Sequence, residues 1–168
     1  MASGKTHDWM TLALLPSVWL LCRWKFNLPV PESILIVAGT FIGGFFLSPD
    51  LDIRSRPFYR WGLLRFIWWP YQWAIRHRSS LSHGIFLASW LRLFYLTGVL
   101  TILYSLFSLV LQQMGWWPVT HPLREARQLI QEHLQDLLWL GVGLWIGALI
   151  HILLDWFSSA FHTKKRRR

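Results

Sequence analysis

Apolar residues along the 168-residue chain gather in four runs, 9–22, 34–47, 85–111 and 137–157, separated by polar or aromatic-rich connections. A helix needs about 20 predominantly apolar residues to cross a bilayer. The last two runs meet that comfortably; the first contains Pro16 and the second needs its flanks. Between the second and third runs lies 58–75, rich in Trp and Tyr and long enough to cross, yet carrying Arg60, Arg65 and a central Pro70. Rings and arginines together favour the headgroup level, which predicts one or two short amphipathic helices lying on a membrane face. A Trp- and Pro-containing turn over 112–120 leads into a predicted helix over 122–136 whose charges are mixed. The pattern predicts an all-α integral membrane helical bundle of about four spanning helices plus amphipathic interfacial helices. It forms a single domain over 1–168 with a basic tail at 163–168, and no internal repeat interrupts it.

Composition agrees, at 54% hydrophobic with 13 Trp and a positive mean hydropathy. Net charge is +9 and pI about 10.6. In a soluble chain this would suggest nucleic acid as a partner. Beside membrane segments, basic residues mark the cytoplasmic side and meet anionic headgroups, so membrane lipids and no nucleic acid are expected. With both termini cytoplasmic, the inner segments hold twelve basic residues: Lys5, Arg54, Arg56, Arg60, Arg65, Arg76, Arg78 and the tail from Lys164 to Arg168. The outer loops hold four, Arg23, Lys25, Arg124 and Arg127. Arg92, early in the third run, is expected to snorkel inward. The apolar start lacks a small-residue cleavage site and is read as a retained span. Cys22, the single cysteine, forms no intramolecular disulfide.

Topology sorts the titratable residues by side. His7 and Asp8 precede the first run, Asp50 and Asp52 end the second, His77 and His83 precede the third, and His151 and Asp155 end the fourth. All eight fall at the expected cytoplasmic rim, and they include four of the five Asp in the chain; His121 and His133 fall on the other side. Mixed imidazole and carboxylate donors suit Zn, Mn or Fe, as one ion or two. His151 and Asp155 stand at i, i+4 on one helix face. Pro49 fixes the helix exit that presents Asp50 and Asp52, although Asp in a turn can simply cap the next segment. The metal candidates are therefore His7, Asp50, Asp52, His77, His83, His151 and Asp155, with His7 placed ahead of Asp8, a natural N-cap. Asp50, His77, His151 and Asp155 are expected to converge. Glycine pairs, Gly39 with Gly43 and Gly143 with Gly147, give two small-xxx-small faces that would bring Asp50 and His151 together. Arg54, Arg56, Arg76 and Arg78 surround the site, so an anionic substrate is expected, with Arg78 as its holder.

Thr6-His7-Asp8, Ser48-Pro49-Asp50-Leu51-Asp52, the stretch from His77 to Gly84, and His151 to Asp155 occur in this order. The set resembles the small cyanobacterial membrane proteins of the DUF2227 family, described as metal-binding. More distantly it is similar to the inner-membrane metal-dependent hydrolases of the YdjM type, whose Pro-Asp-x-Asp, His-Arg and terminal His-to-Asp motifs run in the same order. The resemblance implies a multi-pass protein of a bacterial inner or thylakoid membrane. It implies metal binding more directly than hydrolysis, because the His77-to-His83 spacing is one residue longer than in the hydrolase motif.

Two functions are consistent with these residues. In a metal-dependent hydrolase, an Asp left off the metal, Asp52, would act as general base and Arg78 would hold the substrate anion. In a non-catalytic protein for storage, sensing or assembly, the ligand shell would be closed; an open position beside a pocket separates the two. A transporter is disfavoured because no acid or histidine lies at mid-membrane. Leu144-Trp145 stand where a PAP2-type lipid phosphatase needs Ser-Arg. Neither a Gly-x-Ser-x-Gly nucleophile nor a Gly-rich phosphate loop is present.

Overall fold

The computed structural model describes residues 3–77, 79–84, 87–116 and 122–165, and every regular element among them is helical. In chain order these are α1 (Gly4–Leu20), α2 (Val30–Phe45), α3 (Arg56–Arg60), α4 (Trp69–Ala74), α5 (Ser80–His83), α6 (Leu87–Gln113), α7 (Pro122–Glu132) and α8 (Leu134–Lys165). A π turn follows α1 at Leu21–Lys25, and 3₁₀ turns occupy Pro49–Asp52 and Gly62–Trp68.

Three stretches are long and apolar enough to cross a bilayer: Val30–Asp52, Leu87–Gln113 and Leu134–Ala160. The expected first span, 9–22, belongs largely to α1, which has 17 residues and includes Lys5, His7, Asp8 and Pro16. On its own it does not reach that length and apolarity. Helix α6 is apolar on all sides, and Leu87, Phe94, Ile102 and Phe107 stand exposed along it.

Helices α2 and α8 pack backbone to backbone through their glycines. A Cβ at Gly39 would run into the carbonyl oxygen of Leu140, and one at Gly143 into that of Ile36. Gly43 and Gly147 meet Leu144 and Thr40 in the same way. Only glycine permits such an approach. Helix α1 runs antiparallel along α2, with Thr11 against Gly44 near one end and Val18 and Cys22 beside Ile36 near the other.

The aromatic stretch 58–75 is not one helix. It falls into α3, the Gly62–Trp68 turn and α4, of 5, 7 and 6 residues, with Gly62 at φ +54 turning the chain between the first two. Its rings also divide. Tyr59, Trp69 and Trp73 are exposed, whereas Trp68 and Tyr71 pack inward with Leu47, Leu51, Phe58, Ile67 and Leu144. This buried cluster lies under the end of α2 and satisfies backbone groups there. Trp61 Nε1 donates to Phe46 O at 3.0 Å and Arg60 Nη1 to Phe45 O at 2.9 Å. Gln72 Nε2 donates to Leu51 O and Ile53 O, both at 3.0 Å. Helix ends leave carbonyls without intrahelical partners, and each such bond contributes about 1 kcal/mol. The stretch therefore holds the Asp50 turn in place.

Candidate metal centre

Four elements bring their ends to one place. Ser48 is extended, and Pro49, whose fixed φ suits a first helical position, opens the 3₁₀ turn that carries Asp50 and Asp52. With three residues per 3₁₀ turn, two side chains two positions apart diverge. Asp50 reaches both His151 of α8 and His83 of α5, while Asp52 turns toward His77 and His83.

The first group is His7, His151 and Asp155, whose ligand atoms lie within 4.8 Å of one another. His151 and Asp155 share one face of α8, with Nε2 and Oδ2 3.8 Å apart. His7, from the first turns of α1, approaches Asp155 Oδ1 at 3.2 Å and stacks on the His151 ring at 3.7 Å between centroids. Ser48 Oγ lies 3.0 Å from His151 Nδ1. That contact occupies one ring nitrogen and leaves Nε2 for the centre.

The second group is Asp50, His77 and His83, again within 4.8 Å of one another. Asp52 stands behind it, with its side chain fully buried: Oδ1 is 2.9 Å from His77 Nδ1 and Oδ2 is 3.8 Å from His83 Nδ1. Asp50 joins the two groups. Its Oδ2 is 3.4 Å from His151 Nε2 and its Oδ1 is 3.6 Å from His83 Nε2. A single point shared by Asp50, His77, His151 and Asp155 is thus not what the chain builds. His77 gathers with His83 and Asp50, backed by Asp52, in a group separate from that of His7, His151 and Asp155.

The other candidates separate. Asp8 is taken by arginines, Arg56 at 3.0 Å and Arg60 at 2.5 Å. Arg92 does not snorkel: it is buried, and its Nη1 donates to Ser82 O at 2.8 Å. An apolar helix flank offers that guanidinium no solvent, whereas the α5 carbonyl does offer a partner. Nearby, burial pushes the Tyr71 phenol above its ordinary value, partly offset by Arg92, so it stays neutral. Arg76 is exposed, and Arg78 lies outside the described residues, as does His121. His133 pairs with Asp136 at 3.6 Å in an exposed i, i+3 contact. The sequence pattern assigns no role to Ser48 and places Arg92 elsewhere. Ser48 stands in the Ser-Pro-Asp-Leu-Asp motif, but a serine at a helix exit is common; nothing in the sequence signals the burial of Arg92.

A metal fits these residues on a structural criterion. Among the described residues, His7 Nδ1, Asp50 Oδ1, Asp52 Oδ2, His83 Nε2, His151 Nε2 and Asp155 Oδ1 are buried and form no well-aligned hydrogen bond, meeting at most in the His–Asp contacts given above. Each such atom costs about 1–3 kcal/mol when nothing compensates it. Imidazole and carboxylate donors gathered this closely are what a divalent transition metal satisfies. Beside the first group opens a cavity of about 340 Å³ whose lining includes His7, Asp50 and His151 together with Arg54, Arg56 and Tyr59.

Comparisons with known proteins agree with this chemistry. No solved structure matches the chain. An uncharacterized protein of Aquifex aeolicus (strain VF5) is 37% identical over 135 residues, covering 77% of this chain and 95% of that protein. A family model of uncharacterized metal-binding proteins matches residues 2–165, which takes in every residue of both groups. The chain belongs to the DUF2227 family of uncharacterized metal-binding proteins.

Proposed function

We propose that this protein is a membrane-embedded metal-dependent hydrolase whose two His/Asp groups, joined by Asp50, would each hold an ion. The carrying observation is the Asp50 carboxylate, whose two oxygens face histidines of different groups. His7, His151 and Asp155 would hold one ion and His77 and His83 the other, with Zn, Mn or Fe suited to both. An ion seated there supplies Lewis acidity and lowers the pKa of water. Ser48 orients His151 and Asp52 orients His77, as outer carboxylates and hydroxyls do around metal-ligating imidazoles. Asp52 does not border the cavity, which favours this positioning role over that of general base. The exposed apolar length of α6 supports membrane insertion, because a helix apolar all round needs lipid or protein around it.

The alternative is non-catalytic metal binding. The cavity open to His7, Asp50 and His151 favours catalysis, since a storage site has no need of one. The likeness of the motif order to the YdjM-type hydrolases points the same way. Elemental analysis of detergent-purified protein, beside hydrolysis of generic phosphoesters and esters with and without Zn or Mn, tests the proposal. Two equivalents of metal and a metal-dependent activity are expected. The Asp50→Asn variant should hold one equivalent or fewer and lose that activity. Full metal with no activity above an Asp50→Asn, His151→Ala double variant would leave the non-catalytic reading standing.

A further inference from the structure

The lining of the cavity beside the first group combines two kinds of residue, the metal-ligand candidates His7, Asp50 and His151 and the arginines Arg54 and Arg56. Arg54 and Arg56 flank Ser55, which is extended, so alternate side chains project the same way and both arginines reach the cavity wall. Asp8 also borders the space, but it is already neutralised by Arg60 at 2.5 Å. Arg60 is in turn fixed by the Phe45 carbonyl and lies over the Phe45 ring at 4.5 Å. Among the described residues no carboxylate pairs with Arg54. Arg56 shares Asp8 with Arg60, and its side chain is half exposed. With Asp8 held by Arg60, which is not part of the lining, Arg54 and Arg56 leave this part of the lining cationic. His7, Asp50 and His151 line the same cavity.

We infer that this cavity takes a phosphoryl group, with Arg54 and Arg56 holding its oxygens against the metal-ligand wall. The inference rests on the metal-centre reading and names its substrate class as a phosphoester. A carboxylate has two oxygens, too few to satisfy two guanidinium forks and a metal wall together. A phosphoryl group has enough, and the guanidinium fork matches it. The volume of about 340 Å³ lies near the lower end of small-ligand sites, about 300–1,000 Å³. It admits a phosphoryl head with a small alcohol portion, and acyl chains would have to lie outside. A soluble phosphoester and a lipid headgroup share this chemistry.

Isothermal titration of inorganic phosphate into Mn-loaded, detergent-purified protein tests the inference, with metal content and melting temperature measured on every sample. Wild type should bind phosphate. Arg54→Gln and Arg56→Gln should each weaken binding about tenfold or more, the loss expected when a charge-assisted hydrogen bond is removed. Arg76→Gln, away from the cavity, should match wild type. Metal content should be the same in all four. Equal phosphate affinity in wild type and Arg54→Gln, or none in fully metallated wild type, overturns the inference and leaves the metal centre untouched. Absence of metal from wild type sinks the metal-centre reading; the Arg54 comparison, run on the same sample, still decides the pocket. Displacement of phosphate by glycerol phosphate identifies a soluble source, and displacement only by short-chain phosphatidate identifies a lipid; either supports the pocket.

Discussion

Ser48 immediately precedes the proline that starts the 3₁₀ turn, and its hydroxyl 3.0 Å from His151 Nδ1 decides which ring nitrogen faces Asp50. Loss of such an outer contact typically costs about 10–100-fold in metal affinity. Ser48→Ala should therefore weaken one of two ions by about that factor while saturating metal restores full stoichiometry, as read by chelator competition. Asp52→Asn should do the same to the other ion, since Asp52 Oδ1 sits 2.9 Å from His77 Nδ1. The two variants together assign each affinity to its group, and a double variant that loses no more than either single would refute two separate subsites. That these His and Asp residues gather was legible from the chain, because acids are few and the Asp residues cluster at the expected rim. Their division into two groups was not, because it depends on how the start of α1, α5 and the end of α8 pack around the 3₁₀ turn, which spacing along the chain does not give.

At the scale of elements, two contacts hold the donors in register. The first is the glycine seam of α2 and α8, where a methyl group at Gly39 has nowhere to go. Gly39→Ala should destabilise the protein by about 1–3 kcal/mol, the usual cost of overpacking, and lower metal occupancy with it. Gly98, mid-way along α6 with nothing within 4 Å of a built Cβ, is the control. Gly98→Ala should be neutral or stabilising by up to about 1 kcal/mol. Thermal melts in detergent separate the two, and equal melts would mean that the seam does not hold the helices. The second contact is Arg92, whose Nη1 donates to Ser82 O at 2.8 Å and whose Nη2 donates to Ser89 Oγ at 3.3 Å. It fixes α5, and so His83, to the start of α6. Arg92→Met should lose the ion of the His77 and His83 group and keep the other, leaving one equivalent by elemental analysis. The seam could be read from glycine spacing. The clamp could not, because charge near a helix end says nothing about which way a long side chain turns, and packing decided it.

The whole molecule turns on whether α1 crosses. Taken alone, α1 is too short and too polar to qualify, yet it runs antiparallel to α2 from Thr11 beside Gly44 to Cys22 beside Ile36. With its π turn it extends from Gly4 to Lys25, ~30 Å of helix at about 1.5 Å per residue, close to the hydrocarbon thickness of about 30 Å. Helix α2 cannot enter a bilayer without taking α1 with it. The close contact of His7 with Asp155 then forces the start of α1 and the end of α8 to one face. In a bilayer, four crossings that place the start of α1 and the end of α8 at one face would satisfy these contacts together. Three crossings, with α1 lying on the surface, would separate Thr11 from Gly44. In a Cys22→Ala background, membrane-impermeant labelling of single cysteines tests this directly. Lys5→Cys and Arg54→Cys should label from one side, and Lys25→Cys and Gln131→Cys from the other. If Lys5→Cys and Lys25→Cys label from the same side, α1 does not cross, and the four-crossing arrangement is wrong even where the metal centre stands.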